Sequence, residues 1–273
     1  MICNISREAT SVKKILITME RTEWLLGGVS VLEPMTALTD FIITAVCLVA
    51  YVKLRRASKA NGGYMPHYPH FFLTMGLCTL FAGLMSHAFA YFFVEPLLTK
   101  PQIALLDWSD KFAYHIHNMP NWLFNITSAS LFELSLVDRA ADLAPDISRK
   151  RWLAVITAES ILVLALMIFY VDYNVAAAHI AFTLYAVLVP LQLMVKKHQF
   201  GSEQKLLLIG AGVMLFSGPV MATKFQLSPW FNHNDISHIL IATSMFIFYK
   251  SATITLTTPP TADSFVKQKL PSI

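Results

Sequence analysis

The sequence predicts an all-α integral membrane protein with seven membrane-spanning helices. Of its 273 residues, 55% are hydrophobic and 14% are charged, whereas soluble domains carry about 25% charged residues. The apolar residues form runs of about 20 residues, roughly the length of a helix that crosses the ~30 Å hydrocarbon layer of a bilayer. Runs such as FIITAVCLVAYV, at residues 41–52, do not alternate as a membrane β-strand would, so we expect helical spans.

Seven apolar runs account for most of the chain. We place them at residues 35–54, 70–94, 114–137, 151–171, 175–195, 205–223 and 235–256. Basic residues in short loops mark the cytoplasmic side of a membrane. The basic loops are those after the first, third and fifth runs, and KLRRASK at 53–59 is the richest. The sequence therefore predicts an N-terminus outside and a cytoplasmic C-terminus, and the net charge of +4 reflects topology, not nucleic-acid binding.

Two segments flank the predicted seven-span domain, which comprises residues 33–257. Residues 1–32 are amphipathic, and charges interrupt them too often for a span. They lack the features of a signal peptide, so we predict an interfacial helix, or else a true start of the protein further downstream. Residues 258–273 are polar and contain proline, which predicts a disordered cytoplasmic tail.

Histidines concentrate toward one side of the predicted membrane domain. Six of the nine lie near the outer ends of spans two, three, five and seven: His87, His115, His117, His179, His233 and His238. Ionisable groups inside a membrane are costly and tend to face the bundle interior or a water-filled cavity.

Imidazole is also the commonest metal ligand, and three imidazoles with one open position often hold a catalytic zinc. We therefore predict a zinc site formed by His87, His117 and His238, with His233 and Asn234 as alternative ligands. His115 and His179 are interpreted as ordinary interfacial or hydrogen-bonded residues.

Other ionisable residues favour structural roles. Glu33 precedes the first span, where acids suit a helix N-terminus, and Asp40 lies within that span and needs a partner, so both are predicted to stabilise the bundle. Lys250 suggests a retinal Schiff base, but it lies about 18 Å beyond His238, toward the cytoplasmic end, where lysine side chains extend to the interface. Glu133 is the one carboxylate that could serve as its counter-ion in span three.

Four short motifs carry a resemblance to a known family. They are EPMTALTD at 33–40, GLMSH at 83–87, HNMP at 117–120 and NDISH at 234–238. In this order they resemble the CREST superfamily of seven-span proteins, which includes the alkaline ceramidases and the progestin and adipoQ receptors. The first and last motifs are also similar to an uncharacterised bacterial branch near that superfamily. The likeness covers spans one, two, three and seven.

The resemblance implies that histidines hold zinc for hydrolysis of a lipid amide, assisted by a serine and an aspartate. His87 and His238 match the family histidines. Three other positions depart from the family pattern, namely Gly83 in place of serine, His117 in place of aspartate and Asn234 in place of histidine. The nearest substitutes for the assisting groups are Ser86 and Asp235, which we predict to be catalytic.

The sequence thus predicts a ceramidase-like, zinc-dependent intramembrane hydrolase of a lipid amide or ester, with its site near the outer membrane face. Its partners would be the bilayer and a lipid substrate, and its location the inner or plasma membrane of a bacterium. The alternative is a seven-span receptor or sensor with a histidine-lined or metal-bearing pocket. A transporter, which would have polar residues along the whole bundle axis, or a retinal protein is favoured less.

Overall fold

The computed structural model describes residues 22–26, 29–93, 98, 100–198 and 200–257. The described chain begins with two short antiparallel strands, β1 (Glu23–Leu26) and β2 (Val29–Leu32), in which Glu23 pairs with Leu32. The aromatic and β-branched residues of these strands favour extended backbone. The prediction of an interfacial helix is therefore wrong for this part of the N-terminal segment. Residues 1–21 and the predicted tail, 258–273, lie outside the described residues.

Helices make up most of the rest of the described chain. They are α1 (Pro34–Ala60), α2 (His67–Phe81), α3 (Ala90–Phe93), α4 (Lys100–Ala104), α5 (Trp108–His115), α6 (Met119–Leu143), α7 (Arg149–Tyr170), α8 (Tyr173–Phe182), α9 (Val189–Lys196), α10 (Ser202–Leu215), α11 (Ser217–Thr223) and α12 (His233–Thr257). A π-helical turn at Ala82–Ala88 continues α2, and another at Thr183–Leu188 joins α8 to α9. A 3₁₀ turn at Ile116–Asn118 links α5 to α6.

Six helical stretches within the described residues are long and apolar enough to cross a membrane. They are Pro34–Ala60, His67–Ala88, Arg149–Tyr170, Tyr173–Lys196, Ser202–Thr223 and His233–Thr257. They coincide with six of the seven predicted runs and confirm an all-α, multi-pass membrane protein. The remaining predicted span corresponds to α6, which is 25 residues long, but polar side chains such as Asn121, Asn125 and Glu133 interrupt its apolar sequence.

The polar helix α6 lies inside the bundle. Its residues Asn125 and Glu133 are 3% and 0% exposed, so neighbouring helices cover the side chains that lipid could not solvate. Phe132 of α6 joins three helices: its ring centroid lies 4.6 Å from that of Phe71 in α2 and 4.9 Å from that of Phe248 in α12. A helix with several polar side chains is therefore packed inside the apolar bundle.

A buried ion pair closes the end of the bundle that lies at the C-terminus of α1. Arg139 of α6 donates to Glu203 of α10 from Nη2 at 2.7 Å and from Nε at 3.0 Å. Nη1 of the same guanidinium donates to the hydroxyl of Tyr64, which in turn donates to Asp142 at 2.9 Å. Such a paired arrangement satisfies charges that would otherwise be costly to bury, and it ties α6 and α10 to the loop between α1 and α2.

The contact between α10 and α12 depends on a glycine. A Cβ added at Gly210 would lie 2.6 Å from Cε1 of Phe248, whereas one added at Gly212 would meet nothing within 4 Å. We expect Gly210→Ala to destabilise the protein by about 1–3 kcal/mol, because Phe248 would have to leave its packed position.

Thermal unfolding of the purified protein in detergent would measure the effect, with Gly212→Ala as the control on the same helix. The control should leave the melting temperature unchanged or raise it, since alanine favours helix over glycine. Equal melting temperatures for the two variants would contradict the close approach of these helices.

Candidate metal centre

Three segments meet at the end of the bundle that carries the β-strands. The first is the beginning of α1, where Pro34 occupies the first turn, as is common for proline, and where Asp40 lies nearly two turns further along. The second is the π-helical turn Ala82–Ala88, which contains His87. The third is the second turn of α12, which contains His238. Because π-helical turns re-aim side chains and are frequent at functional sites, this convergence marks a candidate site.

The three side chains form a compact group. One ligand atom from each of Asp40, His87 and His238 lies within 4.8 Å of the others. Nε2 of His87 is 3.8 Å from Oδ2 of Asp40, and Nδ1 of His238 is 3.5 Å from Oδ1 of the same carboxylate. The two imidazole centroids are 6.0 Å apart and nearly perpendicular. We call these three residues the outer group.

Glu33 orients the first imidazole of the outer group. Its Oε2 lies 2.6 Å from Nδ1 of His87, so that Nδ1 carries the proton and Nε2, which faces Asp40, carries the lone pair of a neutral ring. A carboxylate that holds the far nitrogen in this way is the usual outer partner of a metal-bound histidine. Glu33 adopts a left-handed backbone with φ 43°, a strained conformation that persists where surrounding contacts hold it.

Thr39 orients the second imidazole. Its hydroxyl donates to the carbonyl oxygen of Thr36 at 2.9 Å and lies 3.0 Å from Nδ1 of His238. Because the single hydroxyl proton goes to the carbonyl, Nδ1 must be the donor in the second contact. The lone pair of a neutral His238 ring is then on Nε2, whereas Nδ1, the nitrogen that lies 3.5 Å from Oδ1 of Asp40, carries the proton.

Asp235 connects α12 to α1 beneath the outer group. It is fully buried, and it accepts hydrogen bonds from the hydroxyl of Thr36 at 2.8 Å and from the backbone N–H of Asn232 at 2.7 Å. Both carboxylate oxygens are thus used to hold the start of α12 against α1. This arrangement fixes the position of His238, one turn further along the helix, and favours a positioning role for Asp235 over the predicted catalytic one.

The donor set fits a divalent metal ion. Asp40 is 1% exposed, and its Oδ2 accepts no hydrogen bond from the described residues. A buried carboxylate oxygen without a partner is costly, and a cation between the carboxylate and the imidazoles would satisfy it. Two imidazoles and one carboxylate suit zinc or ferrous iron.

His117 does not belong to the outer group. Its ring stacks in parallel on that of Phe93, with centroids 5.9 Å apart. The sequence placed it in a regular helix, but it lies in the 3₁₀ turn before α6, and a change of one residue in helical phase rotates a side chain by about 100°. Asp40 therefore takes the place that was predicted for His117.

The other predicted site residues surround the outer group without joining it. The hydroxyl of Ser86 lies 2.5 Å from Oδ1 of Asn118, which links the π-helical turn to the 3₁₀ turn. His233 lies at the beginning of α12, and the backbone N–H of Asn234 donates to the side chain of Asn232 at 2.7 Å. Neither of these two alternative ligands is among the three clustered side chains.

Comparisons with known proteins give one match. The family model described as a family of unknown function (DUF6962) matches residues 35–257. No curated protein and no solved structure is significantly similar to the chain. The matched region contains all three residues of the outer group and begins two residues after Glu33.

The bond between Thr36 and Asp235 should contribute measurably to stability. We expect Thr36→Val, which keeps the shape of the side chain, to destabilise the protein by roughly 1–3 kcal/mol because it leaves an oxygen of a buried carboxylate without its donor.

Thr243→Val is the matched control, since Thr243 is exposed and its hydroxyl donates only to the carbonyl of Ile239 within α12. The melting temperature in detergent would fall for Thr36→Val alone. A similar fall in both variants would show that the link between α1 and α12 is unimportant.

Proposed function

This chain belongs to DUF6962, a family of unknown function, and we propose that it is a seven-span membrane hydrolase that uses zinc to cleave a lipid amide or ester. The observation that carries the proposal is the convergence of Asp40, His87 and His238, whose ligand atoms lie within 4.8 Å of one another at one end of an apolar helix bundle. Three protein ligands with an open fourth position are the arrangement of catalytic zinc sites.

In the proposed topology α6 is the seventh span. Its 25 residues extend about 37 Å, which exceeds the ~30 Å hydrocarbon layer, and its polar side chains are covered by other helices. The basic segment 53–59 at the C-terminus of α1 and the beginning of α7 at Arg149 lie at the end opposite the outer group. By the distribution of basic residues, the N-terminus is outside, the C-terminus is cytoplasmic and the outer group faces the outer leaflet.

The surroundings of the outer group suit a lipid substrate. Phe92 and Phe93, which follow the π-helical turn of His87, are 64% and 50% exposed and offer an apolar surface to an acyl chain. Zinc, when bound, would lower the pKa of a coordinated water to ~7 and polarise a carbonyl group. An amide or ester at the boundary between acyl chains and headgroups lies at the depth of this site.

The neighbouring residues have separable roles in the proposal. Glu33 holds the ring of His87 so that its Nε2 faces Asp40, and Thr39 fixes the ring of His238 through Nδ1. Ser86, beside His87, donates its hydroxyl proton to Oδ1 of Asn118, so it would have to turn away from Asn118 to serve a substrate carbonyl oxygen as an oxyanion donor. Asp235 acts as a positioning residue through α12.

Metal content and hydrolysis measured on the same preparations test the proposal. We expect Asp40→Asn, His87→Ala and His238→Ala each to contain one zinc ion fewer per chain than the wild type, because each loses a ligand. The same variants should lose hydrolysis of ceramide and of ester lipids in mixed micelles, with metal measured by mass spectrometry and products by chromatography.

His117→Ala is the control, since it removes an imidazole at the same end of the bundle but outside the outer group. It should keep the zinc content of the wild type. Loss of zinc in His117→Ala but not in Asp40→Asn would contradict the assignment. A wild-type protein that binds zinc and cleaves none of these lipids would contradict the hydrolase and favour a metal-bearing receptor.

A further inference from the structure

A second group of three ionisable side chains lies deeper in the bundle. Glu133 of α6, Glu159 of α7 and His179 of α8 each place one ligand atom within 4.8 Å of the other two. Glu159 lies about 15 Å from either end of α7, which puts this inner group near the middle of the proposed membrane domain. None of its members contacts the outer group in the described structure, so it is a separate feature.

The inner group is almost closed to its surroundings. Glu133 is 0% and His179 1% exposed, and the side chain of Glu159 is 12% exposed. Two carboxylates buried together in an apolar bundle repel each other and are poorly solvated, so ionisable groups in such positions have a partner or a function.

The contacts within the inner group leave several polar atoms unsatisfied. Thr183 donates to Oε1 of Glu133 at 2.8 Å. Oε2 of Glu133, Oε2 of Glu159 and both ring nitrogens of His179 make no hydrogen bond with the described residues. Nε2 of His179 lies only 3.0 Å from Oε2 of Glu159, without the alignment of a hydrogen bond. Buried polar atoms are almost always paired, so this concentration indicates a ligand shared between them.

The scaffold holds the two carboxylates at a fixed separation. The hydroxyls of Ser130 in α6 and Ser160 in α7 lie 2.7 Å apart. Ser160 follows Glu159 in the chain, and Ser130 lies three residues before Glu133. His179 lies four residues, about one helical turn, before the π-helical turn Thr183–Leu188. Three helices thus present preorganised donors to one point.

We propose that Glu133, Glu159 and His179 form a second metal site that binds a divalent first-row cation within the bundle. One imidazole and two carboxylates combine donors that suit manganese, iron and zinc. The two positive charges of the cation would balance the two carboxylates, and its coordination would satisfy the unpaired oxygen and nitrogen atoms. The site would link α6, α7 and α8, as structural metals join elements that are separate in sequence.

Binding of manganese and zinc to the full-length protein in detergent tests the site. Protein stripped with a chelator would be incubated with MnCl₂ or ZnCl₂ and desalted, and its bound metal and melting temperature would be measured. We expect His179→Ala and Glu159→Gln each to bind one ion fewer per chain than the wild type and to lose the part of the metal-induced rise in melting temperature that this site contributes.

His198→Ala is the matched control. His198 also pairs with a carboxylate, Asp146, at 3.0 Å, but the two side chains are 35% and 51% exposed. This variant should bind as much metal as the wild type. Glu159→Gln keeps the side-chain volume at the most accessible position of the inner group, so it reports on metal binding even if His179→Ala does not fold.

The outcomes separate this site from the outer group. Loss of an ion in Glu159→Gln supports the inner site whether or not the outer group binds metal, provided that the same ion is still bound in His87→Ala. Wild-type metal content and an unchanged metal-induced rise in melting temperature in Glu159→Gln would overturn the inner site. Such a result would leave the outer group untouched if His87→Ala still lost its ion.

Discussion

Every feature of this fold depends on one constraint: a charged or polar side chain inside an apolar bundle must find its partner within the protein. Lipid supplies no hydrogen bonds, and unpaired ionisable groups at membrane depth are costly. The chain satisfies this constraint by placing α6, a long helix with several polar side chains, among the others. Glu133 and Arg139 of that helix are both buried and both face groups from neighbouring helices.

The two ends of the bundle meet the constraint in different ways. At the end of the bundle that contains Tyr64, the side chains of Arg139 and Glu203 form a closed pair. The donors of the guanidinium there are matched by acceptors. At the opposite end, Asp40 faces two imidazoles, and its Oδ2 accepts no hydrogen bond within the described chain. A satisfied pair stabilises a structure, whereas an incompletely satisfied group of good ligands is typical of a site that binds something.

Both groups of ligands adjoin an irregular helix. His87 lies inside one π-helical turn, and the other begins four residues after His179. A π-helical turn shifts the phase of the residues that follow it and is retained where it serves function. The same local device therefore accompanies the outer group and the inner group.

Much of the architecture could be predicted from hydropathy, because a run of about 20 apolar residues in a membrane protein has one stable form. His87 and His238 could be paired for the same reason, since both lie near the predicted outer ends of their spans. His117 could not be placed correctly, because the 3₁₀ turn at Ile116–Asn118 depends on tertiary packing that no local pattern reveals. The sequence predicts an ordinary interfacial role for His179, because its carboxylate neighbours Glu133 and Glu159 come from other helices and are not visible in the local pattern.

The first strands illustrate the same limit at shorter range. Residues 22–32 have an amphipathic pattern compatible with either a helix or paired strands, and four-residue strands such as Glu23–Leu26 are too short for periodicity to decide. Asp40 was predicted to stabilise the bundle, and its position between two imidazoles became visible only when α1, α2 and α12 were assembled.

X-ray absorption spectroscopy of zinc-loaded protein tests the central claim most directly, because it identifies the atoms around the metal. It should be carried out on the Glu159→Gln variant so that the outer group alone contributes. The structure predicts two imidazole nitrogens at about 2.0–2.1 Å and carboxylate oxygen at about 2.0–2.2 Å. A variant that also carries His87→Ala should hold no zinc. A shell of three imidazoles, or one unchanged by His87→Ala, would contradict a site built from Asp40, His87 and His238.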